Sequence, residues 1–129
     1  MNGRGNRHWN RTERESFRHA IEGVLYAMKN EPHMRIHFAA SVVVLAAAAW
    51  LELPAEDWLW LLSAVAAVWV TELLNTAVER AVDLVSPDSH ELAKVAKDTA
   101  AGAVLAASVY AIAVGVIVLG PPLWSRLLG

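Results

Sequence analysis

Glu72, Asn75, Glu79 and Asp83 stand at i, i+3, i+7 and i+11 in a segment otherwise rich in Val, Leu, Ala and Trp. At 100° per residue they fall at about 0°, 300°, 340° and 20° on a helix, one stripe roughly 80° wide. A carboxylate inside an apolar helix is expensive and marks function by default. Two further polar groups belong with the stripe: Glu31, Arg35 and His37, and then Asp88, Ser89, His90, Glu91, Lys94, Lys97 and Asp98. On a helix Lys94, Lys97 and Asp98, at i, i+3 and i+4, point one way. Carboxylates with an amide oxygen suit a hard divalent cation such as Mg²⁺, which is usually bound together with phosphate oxygens. Lysines beside them suit phosphate. A cation, anions and an apolar segment in one place point to phosphoryl transfer to a lipid.

Two other readings use the same residues. The charges can simply pair and hold helices together, which serves Arg80, Asp83 and Glu91 as well as a functional role does. For Glu72, Asn75 and Glu79 it serves less well, because three polar groups on one face exceed what helix packing requires. Alternatively, intramembrane Glu residues with nearby His and Lys mark an ion or proton pathway. Nucleotide signatures such as G-x-x-x-x-G-K-[ST], H-R-D and D-F-G are absent from the sequence, so any ATP site must be built differently.

The elements that must position these residues are read from where charge is missing. Of 129 residues 56% are hydrophobic and only 19% charged, the mean hydropathy is +0.35 and cysteine is absent, which excludes a disulfide scaffold, a Cys-ligated metal site and a disordered chain. Residues 36–51, 58–71 and 99–125 contain no Asp, Glu, Lys or Arg. A hydrocarbon layer about 30 Å thick needs roughly 20 helical residues, so three spans are expected at about 32–53, 57–83 and 91–120. The prolines mark breaks, with Pro54 in the first connection, Pro87 after the second span, and Pro121 and Pro122 ending the third. Before the spans, residues 16–29 carry Phe17, Ile21, Val24, Leu25 and Met28 at helical spacing, the pattern of an amphipathic helix lying on a membrane surface. Residues 1–15 form a basic tail, and 16–125 a single membrane domain.

Charge also gives an orientation. Residues 1–35 hold seven Lys/Arg against four Asp/Glu, and the remainder four against nine. The basic residues precede span one or surround the connection between spans two and three, whereas the connection with Glu52, Glu56 and Asp57 has none. The N-terminus and second connection are therefore expected in the cytoplasm and the C-terminus outside, with Trp50, Trp58, Trp60 and Trp124 as an outer interfacial belt. A cleavable signal peptide is not expected. The N-terminal arginines read as an orientation signal and headgroup contact, not a nucleic-acid site.

The runs NEPHMRIH (30–37), ELLNTAVERAVDL (72–84) and HELAKVAKDTAAGAVL (90–105) resemble the prokaryotic diacylglycerol kinase family, which includes the undecaprenol kinases. The likeness extends over about 17–119 with the same order and spacing. It implies an all-α integral membrane kinase with three transmembrane helices plus an N-terminal surface helix, a homotrimer in the bacterial cytoplasmic membrane with sites shared between subunits. Such a protein moves the γ-phosphoryl of ATP to a lipid hydroxyl with Mg²⁺. Carried over by motif position, Glu72 is the general base, and Glu31 and Glu79 are metal ligands. His19, Glu31, Asn75, Glu79, Asp88, Ser89, His90, Lys97 and Asp98 face ATP, while Gly23, Arg35, Glu72 and Ala101 face the lipid. The sequence departs from the diacylglycerol kinase branch at His37, where an acidic residue is usual, at His19, where a hydroxylated aromatic is common, and at His33, often Asn or Ala. The R-I-H reading lies closer to the undecaprenol branch, so undecaprenol is the expected lipid, with diacylglycerol as the alternative.

Overall fold

A computed structural model describes residues 13–129, and among these the chain is four helices with no strand: α1 (Glu13–Asn30), α2 (Pro32–Trp50), α3 (Ala55–Val85) and α4 (Glu91–Leu128). The last three are long and apolar enough to cross a membrane. Arg4, Arg7 and Arg11 of the basic tail lie outside the described residues, and residues 13–15 of that tail already belong to α1.

Local chemistry explains each boundary. Helix α1 ends with Lys29, a charge that complements the helix dipole at that end. Only Glu31 separates it from α2. That residue is extended, at φ −107° and ψ 114°, as the residue before a proline prefers to be, and Pro32 then occupies the first helical position, where its missing N–H is no loss. Helix α3 ends at Val85, just before Ser86 and Pro87, and α4 starts from His90, whose Nδ1 accepts the Leu92 N–H.

Between α2 and α3 the chain turns in four residues. Leu53 N–H donates to Ala48 O and Glu52 N–H to Ala49 O, the two bonds of a Schellman helix ending. Glu52 takes the left-handed position with φ 53°, where glycine is usual. Leu53 then packs beside Ala48 in the largest apolar cluster, built on Ala48, Leu61, Ala64, Val114 and Leu119. This cluster ties α2, α3 and α4 together at the end of the bundle remote from the polar stripe.

Pro121 and Pro122, expected to break the chain, lie inside a helix rather than at its end. Helix α4 continues through them to Leu128, although each proline removes a backbone donor and strains the preceding turn. Tertiary contacts beyond the prolines account for the continuation. Leu123 packs against the apolar cluster, and the Arg126 guanidinium lies 5.4 Å from the centre of the Trp50 ring. At 1.5 Å per residue α3 and α4 are roughly 46 and 57 Å long, longer than a hydrocarbon layer, so both extend beyond it.

Candidate functional site

Residues of the α3 stripe grade from buried to exposed. Glu72 is 4% exposed, Asn75 and Glu79 are half-buried, and Asp83 is open. Glu72 faces His37 across the α2–α3 seam, whereas Asp83, in the last turns of α3, is open even though Lys97 reaches it from α4. Asn75 Nδ2 donates to Glu79 Oε1 at 3.2 Å, the i, i+4 contact anticipated by the stripe. Asn75 Oδ1 is buried without a hydrogen-bond partner. A buried amide oxygen without a partner has lone pairs that a water, an ion or a ligand can take up, and this one stands beside a carboxylate.

Across the stripe, three polar contacts join α3 to α2 and its leading residue. Arg80 forms an ion pair with Glu31, His37 Nε2 lies 4.0 Å from Glu72 Oε2, and Trp69 Nε1 donates to Ser41 Oγ at 3.0 Å. The partners, 31 with 80, 37 with 72 and 41 with 69, run in opposite order along the two segments, as an antiparallel seam demands. Ser41 donates in turn to the His37 carbonyl at 2.7 Å, and the Phe38 and Trp69 rings pack with centroids 5.9 Å apart. The Arg80 guanidinium also lies 5.8 Å from the centre of the Tyr26 ring, fastening α1 to α3.

The group Glu31, Arg35 and His37 is therefore split. Arg35 turns away from the seam and donates to the Lys29 carbonyl at 3.0 Å. Residues two apart on a helix point about 200° from each other, so a wheel drawn over 32–41 separates Arg35 from His37. The cluster on α4 divides as well: Lys94 pairs with Asp98, but Lys97 reaches across to Asp83 on α3. The sequence stripes did not reveal the pairing of Glu31 with Arg80, which depends on how α2 meets α3.

The remaining candidates fall at several places. His19 Nδ1 lies 3.0 Å from Glu22 Oε2 on α1. Gly23 lines a cavity of about 340 Å³ between α1 and α3, together with Tyr26, Ala27, Thr76 and Arg80. Asp88 accepts at its carbonyl from Ser86 Oγ, Ser89 is exposed, and the Nδ1 of His90 is committed to capping α4. Ala101 is exposed on α4. A second cavity, about 330 Å³, lies among α2, α3 and α4, and its wall is apolar except for His37, Ser41 and Ser108. His37 thus stands between the buried Glu72 and an apolar groove.

Among the described residues no three His, Asp or Glu side chains converge as a cation cage. A magnesium ion does not need one, since it is commonly held by one or two carboxylates with substrate phosphates and water. Glu79 and the unsatisfied Asn75 Oδ1 supply oxygen donors of the right hardness. Glu31 is committed to Arg80 in this arrangement.

Residues 18–119 match the sequence model of the prokaryotic diacylglycerol kinase family. A diacylglycerol kinase of Synechocystis is 49% identical over 111 residues, 85% of this chain and 63% of that protein. The undecaprenol kinase of Bacillus subtilis is 37% identical over 84% of this chain and 89% of its own length. A diacylglycerol kinase of Escherichia coli is 35% identical over 81% of this chain and 83% of its own length.

Proposed function

The chain belongs to the prokaryotic diacylglycerol kinase family, and from that premise we propose that it is a membrane lipid kinase moving the γ-phosphoryl of ATP to the hydroxyl of undecaprenol or diacylglycerol. The observation that carries the reading is Glu72, a carboxylate 4% exposed in the middle of an apolar helix and followed on the same face by Asn75 and Glu79. Phosphoryl transfer asks little covalent chemistry of a protein; positioning, charge neutralisation and a base on the acceptor supply most of the rate.

Each residue has a task in that scheme. The lipid hydroxyl enters from the apolar side and meets Glu72. As its oxygen attacks the γ-phosphorus, the bond to the leaving ADP oxygen breaks and the hydroxyl proton passes to the Glu72 carboxylate. Glu79 and Asn75, nearer the water-facing end, hold the nucleotide end of the site. Glu79 and Glu31, together with the phosphates, would hold Mg²⁺, which would supply neutralisation of phosphate charge. Lys97 and Asp98, with His19 and residues 88–90, face the nucleotide, while Gly23, Arg35 and Ala101 face the lipid. Glu31 would serve a cation only once released from its ion pair with Arg80.

The same reading places α1 on the cytoplasmic membrane surface. Phe17, Ile21 and Leu25 are 70%, 45% and 60% exposed, an unpartnered apolar face suited to the acyl boundary. It also places the N-terminus and the α3–α4 connection in the cytoplasm, the C-terminus outside, and three copies in the working assembly. The test is transfer of label from γ-labelled ATP in mixed micelles with Mg²⁺, offering undecaprenol and diacylglycerol in parallel. Label in either lipid, lost by about 10²-fold or more in Glu72→Gln, is the expected result, and the better acceptor names the lipid. ATP-independent ion flux with neither lipid labelled would instead make the stripe an ion pathway.

A further inference from the structure

We propose that His37 is a positioning residue for Glu72, holding the carboxylate toward the apolar groove, and that the Trp69–Ser41 bond sets the distance between them. The inference rests on the lipid kinase reading and adds a group outside the stripe to it. Glu72 is nearly enclosed, and among the described residues its carboxylate pairs with His37, Nε2 lying 4.0 Å from Oε2. That separation is longer than a hydrogen bond, and catalytic contacts commonly tighten only when substrate is bound.

The seam around the pair is built to keep it in register. Ser41 lies one helical turn beyond His37 on α2, and Trp69 one turn before Glu72 on α3, so the indole-to-hydroxyl bond braces the two helices directly next to the pair. Ser41 spends its own hydrogen on the His37 carbonyl, which ties the brace to the histidine's backbone. His37 itself lines the apolar groove. It therefore touches both the base and the space from which a lipid hydroxyl would arrive, a placement that a helix-to-helix ion pair alone does not require.

A positioning role and a packing role differ in what they move. With Nε2–H directed at Glu72, a glutamine can place its amide N–H where Nε2 stood, whereas leucine keeps the volume and loses the donor. Misplacement of a reacting group by about 1 Å can cost on the order of 10²-fold in rate. The expected outcome is a fall in kcat of about 50-fold for His37→Leu, with KM for ATP and lipid within about twofold, and recovery to within about fivefold of the unsubstituted protein in His37→Gln. In a Glu72→Gln background, His37→Leu should change the residual rate less than about twofold, because the residue it serves is gone. Trp69→Phe, which keeps the ring and loses the N–H, should lower kcat about fivefold; it carries the test if His37→Leu fails to fold by thermal unfolding in micelles.

Equal activity of all three variants overturns the proposal. So does a loss confined to lipid KM, a loss that glutamine does not recover, or the same fold-loss with and without Glu72. Absence of transfer by the unsubstituted protein is a different failure, that of the kinase reading itself.

Discussion

Two ion pairs at the water-facing end look alike but differ in what surrounds them. In the Lys97–Asp83 pair the side chains are 39% and 51% exposed, whereas Glu31 is 15% exposed against Arg80. Exposed pairs contribute about 0–1 kcal/mol, but a carboxylate left largely buried without its partner loses more, about 1–3 kcal/mol. Thermal unfolding in micelles should therefore show Arg80→Met clearly destabilised and Lys97→Met nearly unchanged, with the Lys97 variant raising KM for ATP several-fold. A larger loss of stability for Lys97→Met would reverse this ordering. At this scale the sequence was informative about the stripe, because Glu72, Asn75 and Glu79 lie on one helix and a fixed 100° step places them. It was silent on the partners. Neither Glu31 with Arg80 nor His37 with Glu72 follows from spacing, since each joins segments more than thirty residues apart, and only packing brings them together.

Helix boundaries were legible wherever a local device set them. Pro32 after an extended Glu31 and Pro87 after Ser86 each mark a break in the place expected, and the structure agrees within a few residues. The α4 terminus differs because Leu123 and Arg126, beyond the two prolines, gain contacts that a local rule does not include. Truncating that side chain in Leu123→Ala should fray 123–128, seen as faster amide hydrogen exchange there with little change over 105–119. Uniform exchange in both segments would show that the prolines, not the packing, govern the end. The α2–α3 turn gives the opposite kind of prediction. Glu52 holds a left-handed backbone at φ 53° that glycine adopts without steric conflict, so Glu52→Gly should stabilise the protein by about 1 kcal/mol. A drop in unfolding temperature would mean that the glutamate side chain contributes more than its backbone strain costs.

Among the described residues few apolar side chains are buried and many are exposed, among them Val43, Leu59, Leu105, Ile112 and Ile117. Three helices with this surface belong in hydrocarbon, and the small residues Ala100, Ala101, Gly102 and Ala103 of α4 allow other helices to approach closely. Chemical cross-linking in native membranes should therefore trap a species of three protomers; a ladder stopping at two would overturn the trimer. The proposed trimer rests on family resemblance alone, because the sequence pattern of a lipid-facing and of a helix-facing apolar surface is the same. The apolar cluster beneath the four-residue turn has a mechanical meaning. It clasps α2, α3 and α4 by apolar packing at the end remote from the polar stripe, whereas ion pairs join the chain at the other end. Parting the helices where Asp83, Lys97, Glu31 and Arg80 stand would therefore break ion pairs that water can replace, and would leave the apolar clasp intact.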